Sequence, residues 1–327
     1  MKCICNQCRK ACVLSAKANA ILYKKHHYHL LKSNVREWFA NERSTRLINQ
    51  SQLRTITFLI SPVMPGTNSF DDVKATIVQT RHISSDVSII TLNCPSVAAT
   101  ANPGNFVNVK VNSSTQPLLR RPFSIHNVQG NHIEIMVKSI GCGTALFCDS
   151  QEGSTVMTLG PLGNCFNITD YDFKTAILVS GGIGTAPMLF LERTLAAQGK
   201  KVINLIGGRT KEDLLAQNLS NCRFATDDGS TGLKGTVVDL LRNELTDIEK
   251  EGPIKLFACG PNPMLKAVAK FCNERHIACD VSLESVMGCG IGICYGCSVE
   301  INTPDGGIRT ILLCREGPVI DAKLLVV

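Results

Sequence analysis

Apolar residues recur at every second position in several short runs between residues 73 and 138. Alternation of this kind, with Asn, Pro, Gly and Ser between the runs, is typical of antiparallel strands that bury one face. No strong helical pattern interrupts these runs before Gly143. The pattern therefore predicts a small antiparallel β-barrel. The predicted strands are Ile77–Thr80, Val87–Asn93, Phe106–Val111 and Ile133–Lys138.

After Tyr171 the pattern changes to short apolar runs that alternate with amphipathic helical segments. Strand–helix alternation indicates a doubly wound parallel sheet with helices on both faces. The predicted strands are Thr175–Ser180, Val202–Ile206, Arg223–Thr226, Ile254–Ala258 and Ile277–Leu283. The predicted helices are Ala186–Gln198, Thr236–Leu245 and Pro263–Arg275.

The two ends of the chain differ from this body. Residues 1–70 hold 11 Lys and Arg against two acidic residues, whereas the remainder carries a net charge of −2. The tail from 284 to 327 is rich in Gly and Cys and too small to form a core unaided. The predicted organisation is a basic extension (1–70), an antiparallel β-barrel domain (71–172), a doubly wound parallel α/β domain (173–283) and a small cysteine-rich domain (284–327).

Composition excludes several classes of protein. The body has no basic excess to support nucleic-acid binding, and no uncharged apolar stretch approaches the roughly 20 residues of a membrane helix. The chain has 16 cysteines but no secretory signal, so we expect a cytoplasmic protein whose clustered cysteines are metal ligands or redox groups. Seven scattered cysteines are predicted to be small buried hydrophobes: Cys94, Cys142, Cys148, Cys165, Cys222, Cys272 and Cys279.

Four cysteines near the carboxyl terminus carry the strongest chemical signal. Cys289, Cys294, Cys297 and Cys314 have the C-x4-C-x2-C…C spacing that ligates a plant-type [2Fe–2S] cluster. Glycines between them permit a tight loop whose N–H groups point at sulfur. A structural zinc site is the alternative interpretation.

Two segments at the end of the predicted barrel suit phosphate groups. Arg121, Pro122, Phe123 and Ser124 end an extended run, where a guanidinium can hold a pyrophosphate and a hydroxyl can reach a flavin ring. The loop around Gly143 and Thr144 opens a helix that can bind the same phosphates. The alternative interpretation of Arg121 to Ser124 is a basic residue before a proline turn that binds no ligand.

A second phosphate signal follows the strand at Thr175–Ser180. The turn comprises Gly181, Gly182, Gly184, Thr185 and Pro187, and it opens a helix. It departs from the standard dinucleotide fingerprint, because Pro187 stands at the third glycine and Asn204 replaces the ribose-binding acid. A plain strand–helix turn is the alternative. A further turn on the same sheet edge contains Cys259, Gly260 and Pro261.

Charged residues after the third predicted strand of the parallel sheet affect whether the site favours NAD or NADP. Asp227 and Asp228 would repel a 2′-phosphate and favour NAD, whereas Arg209 on the adjoining turn argues weakly for NADP. The same acids also suit a solvated turn. The histidines of the body stand singly, so we assign no catalytic acid–base residue and read them as surface or hydrogen-bonded core side chains.

Taken in order, these motifs closely resemble the electron-transfer subunits of type B dihydroorotate dehydrogenases, a family of ferredoxin-reductase-like flavoproteins. The resemblance covers residues 73–327, and the segment from Cys289 to Val319 is its most specific part. It implies an FAD-binding barrel, an NAD-binding α/β domain and a C-terminal [2Fe–2S] domain. By matching position, Arg121 to Ser124 would hold FAD together with Met136, Val137, Lys138, Gly143 and Thr144, and the turns 181–187 and 259–261 would flank the nicotinamide nucleotide.

The resemblance also implies a partner. A catalytic subunit oxidises dihydroorotate on FMN, in pyrimidine biosynthesis, and electrons pass through the cluster and FAD to NAD+. The expected assembly is a heterotetramer with two copies of each subunit. Two alternatives remain open: a related reductase subunit of a hydrogenase, sulfite reductase or ferredoxin–NADP oxidoreductase, and a zinc-stabilised interaction module without redox activity.

Residues 1–70 lie outside the resemblance and have three interpretations. The first is a mis-assigned start, because Met64 stands in frame just before the body. The second is a disordered basic targeting or docking arm, and the third is a small metal site. The third interpretation uses Cys3, Cys5, Cys8 and Cys12, whose spacing fits no tight ligand knuckle.

Overall fold

A computed structural model describes residues 70–112 and 114–326. The basic extension, apart from Phe70, and its four cysteines lie outside the described residues. All described residues belong to one unit, Asn68–Val327.

Six antiparallel strands form a closed barrel in the order β1-β2-β5-β4-β3-β6, which confirms the predicted barrel. The alternating residues Val107 and Val109 of β3 lie in its core with Ile133, Ile135 and Val137 of β5. The strands are β1 Asp71–His82, β2 Val87–Asn93, β3 Phe106–Lys110, β4 Arg121–Gln129, β5 His132–Lys138 and β6 Thr155–Leu162.

Two helices accompany the barrel, α1 Pro95–Thr100 and α2 Cys142–Cys148. Helix α1 contradicts the prediction that no helix precedes Gly143. Pro95 opens it at a position where a missing N–H costs nothing, and Val97 and Ala98 are buried in the barrel core. One turn with two buried residues is too short to give a helical period in the sequence.

The second sheet has seven strands in the order β10-β9-β8-β7-β11-β12-β15, and all but β15 run parallel. Strand β7 is buried at every residue, as expected for a central parallel strand covered on both faces. The strands are β7 Thr175–Gly181, β8 Lys201–Gly208, β9 Cys222–Thr226, β10 Leu233–Lys234, β11 Ile254–Cys259 and β12 Cys279–Ser282; the helices are α3 Met188–Ala197, α4 Val237–Glu249 and α5 Asn262–Glu274.

The tail joins both domains. Strands β13 (Ser298–Asn302) and β14 (Ile308–Leu312) form a hairpin, helix α6 (Leu313–Glu316) follows, and β15 (Val319–Asp321) pairs with β12. Cys297 and Cys314 lie in the same hydrophobic cluster as Phe106 of the barrel. The tail therefore shares a core with its neighbours and adds an edge strand that the sequence pattern did not predict.

The scattered cysteines divide into two groups. Cys94, Cys148, Cys272 and Cys279 are buried, as predicted. The prediction is wrong for Cys142 and Cys165, which are exposed, and for Cys222, which is half-buried. Cys142 is the first residue of helix α2, and the buried residues of this helix are Gly143, Phe147 and Cys148.

Candidate functional site

Strand β4 separates the predicted flavin residues onto two faces. Phe123 points into the barrel, where its ring lies 5.3 Å from that of Phe147 on α2. Pro122 and Ser124 are half-buried on the opposite, outer face. Ser124 is thus available to a ligand on the outer face, whereas the Phe123 ring anchors the strand to α2.

Arg121 and Gly143 lie in contact. A Cβ built on Gly143 would stand 3.1 Å from Nε of Arg121, so the guanidinium packs directly against the first turn of α2. The Thr144 hydroxyl accepts hydrogen bonds from the N–H groups of Ile140 and Gly141 at 3.0 and 3.1 Å, which fixes the loop before the helix. A guanidinium beside the first turn of a helix suits the diphosphate of FAD.

The three predicted residues at the end of β5 have different surroundings. Met136 is buried with Ile183 and Ala186 of the nucleotide turn, whereas Val137 points into the barrel core. The Lys138 ammonium lies 3.3 Å from Asp86 and 3.8 Å from Asp213. Lys138 therefore ties the barrel to the second sheet, and Val137 can reach a flavin only through its backbone.

The two predicted nucleotide turns meet at the carboxyl edge of the parallel sheet. Ser180 of β7 pairs in register with Cys259 of β11, and a Cβ on Gly184 would stand 2.4 Å from the Cys259 carbonyl oxygen. Gly182–Thr185 forms a 3₁₀ turn, so α3 begins at Met188, two residues later than predicted. Ligands of open parallel sheets bind at this edge.

Cys259 stands at this edge as a thiol. Burial, with a smaller effect of Glu284, raises the pKa of Cys259 to about 12, so the side chain is protonated at neutral pH. The Cys259 sulfur therefore adds no charge of its own to the sheet edge beside the turn.

His126 was predicted to be a surface or hydrogen-bonded core histidine, and the structure gives it a more specific place. The side chain is buried, and Nδ1–H donates to the Ala186 carbonyl oxygen at 2.6 Å. Burial lowers the pKa of His126, which keeps the imidazole neutral, and no group among residues 70–112 and 114–326 bonds to Nε2. His126 thus connects β4 to the nucleotide turn, a link that depends on tertiary contact and has no sequence signal.

We expect Gly184→Ala to weaken nucleotide binding. The added methyl group meets backbone on both sides, Cys259 O at 2.4 Å and Gly260 Cα at 2.5 Å, so the two turns must separate. Overpacking of this kind costs about 1–3 kcal/mol, which corresponds to roughly 5- to 150-fold in the KM for NADH. Steady-state kinetics with NADH and an artificial dye measure the effect. Gly130→Ala, in the turn between β4 and β5 where a Cβ meets open space, is the control, and an unchanged KM in Gly184→Ala would refute the contact.

The cluster loop wraps around the predicted sulfur ligands. Gly290, Gly292 and Tyr295 all have positive φ, which turns the backbone back on itself between the cysteines. A Cβ on Gly288 would lie 3.3 Å from the Cys294 sulfur. The loop is therefore too tight to accept side chains on the face that holds sulfur.

Backbone N–H groups converge on Cys289. The N–H groups of Ile291, Ile293 and Cys294 lie 3.5, 3.3 and 3.4 Å from its Sγ. Burial raises the pKa of Cys289, but these N–H groups outweigh it and lower the pKa to about 7. The loop thus stabilises a thiolate, the form in which cysteine binds iron.

Cys314 interacts with two of the other predicted ligands, Cys297 and Cys289. The Cys314 N–H lies 3.5 Å from Cys297 Sγ. Burial and the neighbouring Cys297 thiol raise the pKa of Cys314 to about 12, and Cys289 acts on it in the same direction. Within residues 70–112 and 114–326, no three His, Cys, Asp or Glu side chains are grouped as ligands of a single metal ion. The fold gathers the four thiols in one region, and their coordination of iron stays a prediction.

Asp227 and Asp228 follow β9 at the same sheet edge. The Asp227 N–H donates to Gly208 at the end of β8, and Asp228 is bonded to Ser230. The Arg209 guanidinium donates to Asp213 at 2.9 Å. Arg209 thus shares the Asp213 carboxylate with Lys138, and Asp227 and Asp228 add two acidic side chains to the same region.

Family models match three successive parts of the chain. They are an oxidoreductase FAD-binding domain at residues 74–166, an oxidoreductase NAD-binding domain at 178–270 and the iron–sulfur cluster binding domain of dihydroorotate dehydrogenase B at 284–326. The protein is thus a flavin- and iron–sulfur-dependent, NAD-linked oxidoreductase subunit with the ferredoxin-reductase-like fold. Its cofactors are FAD, NAD and an iron–sulfur cluster.

Relatives specify the family. Two proteins named dihydroorotate dehydrogenase B (NAD(+)), electron transfer subunit, from Geobacillus kaustophilus and Bacillus caldolyticus, are each 35% identical over 256 residues, covering 76% of this chain and 96% of each relative. A relative of the same name from Desulforamulus reducens is 37% identical, covering 69% of this chain and 87% of its own. The chain belongs to the family of dihydroorotate dehydrogenase B electron transfer subunits, which confirms the resemblance drawn from its motifs.

Solved structures agree on the architecture. The structure reported for an NADH-dependent reduced ferredoxin–NADP oxidoreductase matches with a TM-score of 0.66 and 26% identity, covering 80% of this chain and 91% of the other. A ferredoxin NADP+ reductase from Neisseria gonorrhoeae matches with a TM-score of 0.53 and 18% identity, covering 63% of this chain and 91% of its own, and shares the fold. Every helix in the described part of the chain is too short or too polar to cross a membrane.

Proposed function

We propose that this chain passes electrons from dihydroorotate, oxidised on the FMN of a catalytic partner, through a [2Fe–2S] cluster and FAD to NAD+, in pyrimidine biosynthesis. The name shared by its relatives, an electron transfer subunit, implies a catalytic partner subunit. FMN in that partner and a heterotetramer with two copies of each subunit are part of the proposal. A cytoplasmic location stays a prediction.

The chemistry requires an adaptor between one- and two-electron carriers. When bound, an iron–sulfur cluster exchanges single electrons, FAD exchanges one or two, and a nicotinamide takes a hydride. Dihydroorotate gives up two electrons and two protons in becoming orotate, whereas NAD+ takes two electrons and one proton. One proton is therefore released to solvent in each turnover.

The chain's own residues divide this work. Arg121 and the first turn of α2 hold the FAD diphosphate, and Ser124 on the outer face of β4 reaches the ring. The turns at Gly184 and Cys259 hold the nicotinamide nucleotide beside it. Cys289, Cys294, Cys297 and Cys314 hold the cluster, with N–H groups of the loop directed at sulfur.

One observation carries the proposal: the flavin-bearing side of the barrel contacts both other sites. His126 of β4 donates to Ala186 of the nucleotide turn at 2.6 Å. Phe106 of β3 packs in the same cluster as Cys297 and Cys314. Flavin, nucleotide and cluster sites are thus neighbours around one barrel face, as an electron relay requires.

The surface around the cluster loop suits the catalytic partner. Val286, Ile293 and Tyr295 of this loop are 84%, 75% and 57% exposed. Large apolar side chains beside a redox centre favour a protein interface, because electron transfer requires the partner's cofactor to approach closely. We assign this face to the catalytic subunit.

Reconstitution tests the function. The chain, with FAD and iron–sulfur cluster, is combined with an FMN-containing dihydroorotate dehydrogenase catalytic subunit from the same cell, and NADH formation is followed at 340 nm after addition of dihydroorotate. We expect NADH formation only when both subunits are present. Co-purification with a partner that lacks FMN and dihydroorotate activity would instead support a related reductase, and a colourless protein with stoichiometric zinc would support a module without redox activity.

We expect the double variant Asp227→Ala, Asp228→Ala to discriminate less between NADH and NADPH. Two carboxylates beside the ribose disfavour a 2′-phosphate, and their removal leaves two cations, Arg209 and Lys138, around the single carboxylate of Asp213. A change of about 1.4 kcal/mol corresponds to roughly tenfold in the ratio of kcat/KM values for the two nucleotides. Asp247→Ala, on an exposed face of α4, is the control. An unchanged ratio in the double variant would remove these acids from the specificity site.

A further inference from the structure

Asn108 joins the barrel to the cluster loop. It lies at the centre of β3 with a fully buried side chain, and its Nδ2 donates to the carbonyl oxygen of Cys289 at 3.1 Å. Cys289 is 181 residues away in the chain, so this contact exists only in the folded protein. It connects the strand beside the flavin residues to the peptide of a cluster ligand.

The strand register places Asn108 on the flavin side of the barrel. Asn108 stands opposite Pro122 in the β3–β4 pair, and Phe106 stands opposite Ser124. Residues opposite one another in an antiparallel pair point to the same face. Asn108 therefore shares the outer face with Pro122 and Ser124, while Val107 and Val109 fill the barrel core.

The cluster loop is fitted closely around this amide. Gly290 has a φ of +75°, and a Cβ built on it would stand 2.7 Å from Asn108 Nδ2. Arg120 donates to the Asn108 carbonyl oxygen at 3.3 Å, which holds the strand on the other side. The backbone at Cys289 and Gly290 is thus pressed against the Asn108 side chain without an intervening group.

The two polar atoms of the Asn108 amide have different surroundings. Nδ2 donates to Cys289, whereas no donor in the described part of the chain reaches the buried Oδ1. Unpartnered buried acceptors are rare in folded proteins. The Nδ2 contact with the Cys289 peptide is therefore the interaction that holds the Asn108 side chain in this position.

We propose that Asn108 is a positioning residue that couples the cluster to the flavin, by holding the Cys289 peptide against the strand that bears Pro122 and Ser124. This inference rests on the proposed function. Each transfer moves one electron between cluster and FAD, oxidising one and reducing the other, and no bond of the protein forms or breaks. Because tunnelling falls steeply with distance, a loop released from Asn108 transfers electrons more slowly.

The variant Asn108→Leu tests the proposal, because leucine has a similar volume and no amide. Protein with FAD and cluster is mixed with NADH, and freeze-quench electron paramagnetic resonance follows the growth of the reduced-cluster signal. Outer-shell partners of metal ligands are worth 10- to 100-fold, and we expect the rate to fall by that factor. Iron content, FAD content and NADH–dye activity should stay within twofold. Asn127→Leu, which removes an equally buried amide of the same barrel, should leave the rate unchanged.

A second measurement does not require the cofactors. Amide hydrogen exchange of the loop from Cys289 to Cys294 in the apoprotein should be faster in Asn108→Leu and unchanged in Asn127→Leu. Asn108→Ser, which shortens the side chain without added bulk, gives the same comparison if the leucine variant does not assemble its cluster.

The outcomes separate the inference from the function on which it rests. A variant rate within threefold of wild type, with loop exchange unchanged, would overturn the role of Asn108. A wild-type cluster that NADH does not reduce would overturn the proposed relay itself. Equal losses in the Asn108 and Asn127 variants would reduce the contact to general stability and overturn the inference.

Discussion

Replacing Cys294 by alanine should remove the cluster and stop electron transfer from the catalytic partner, while FAD binding and NADH–dye activity persist. Cys294 is the exposed sulfur at the tip of the loop, and it accepts the Gly296 N–H at 3.4 Å. Three thiolates leave one iron with one cysteine ligand in place of two, whereas the flavin and nucleotide sites lie on other elements. We expect dihydroorotate-dependent NADH formation to fall at least 100-fold, the upper range for a lost metal-site contact.

The control for this variant is Cys222→Ala, a half-buried cysteine on β9 away from the loop. Iron analysis, the visible spectrum and the coupled assay are measured on both proteins. If transfer from the partner survives in Cys294→Ala, the assignment of the four ligands is wrong.

Replacing Arg121 by alanine should release FAD. The guanidinium packs on Gly143 at the start of α2, where it and the first turn of this helix form the proposed diphosphate site. Hydrogen bonds to charged groups are worth about 1.5–3 kcal/mol, so we expect the Kd for FAD to rise roughly 10- to 150-fold. Flavin fluorescence during titration of the apoprotein measures this affinity.

Arg120 offers a matched control on the neighbouring position. Its guanidinium pairs with Asp72 at 2.8 Å rather than with Gly143. Arg120→Ala should therefore retain FAD affinity within a few-fold of wild type. Equal losses in both variants would mean that general positive charge, and not the Arg121 position, attracts the cofactor.

Much of the fold can be predicted from the sequence, because the residues on a buried face repeat with a fixed period. The alternation in Phe106–Val111 and Ile133–Lys138 marked two barrel strands, and the apolar run at Thr175–Ser180 marked the central strand of the parallel sheet. Strands β4 and β6 were not predicted, since prolines and glycine interrupt their pattern, and α1 is too short to have one. Strand β15 forms by pairing with β12, which no local pattern indicates.

The candidate site was predictable only in part. Cysteine spacing and glycine turns involve residues that are close in the chain. The cluster loop and the nucleotide turns could therefore be predicted from local sequence. Which side chains face a ligand depends on strand register: Phe123 belongs to the barrel core, and Val137 does too. Asn108 and His126 act through contacts with residues 181 and 60 positions away in the chain. No local sequence pattern indicates contacts of this kind.

The most direct test is electron paramagnetic resonance of the anaerobically purified chain after reduction with dithionite. Two irons held by Cys289, Cys294, Cys297 and Cys314 should give an S = ½ signal that integrates to about one spin per chain, as a reduced [2Fe–2S] centre carries one unpaired electron. A reduced sample that contains flavin but shows no S = ½ iron signal would contradict the relay.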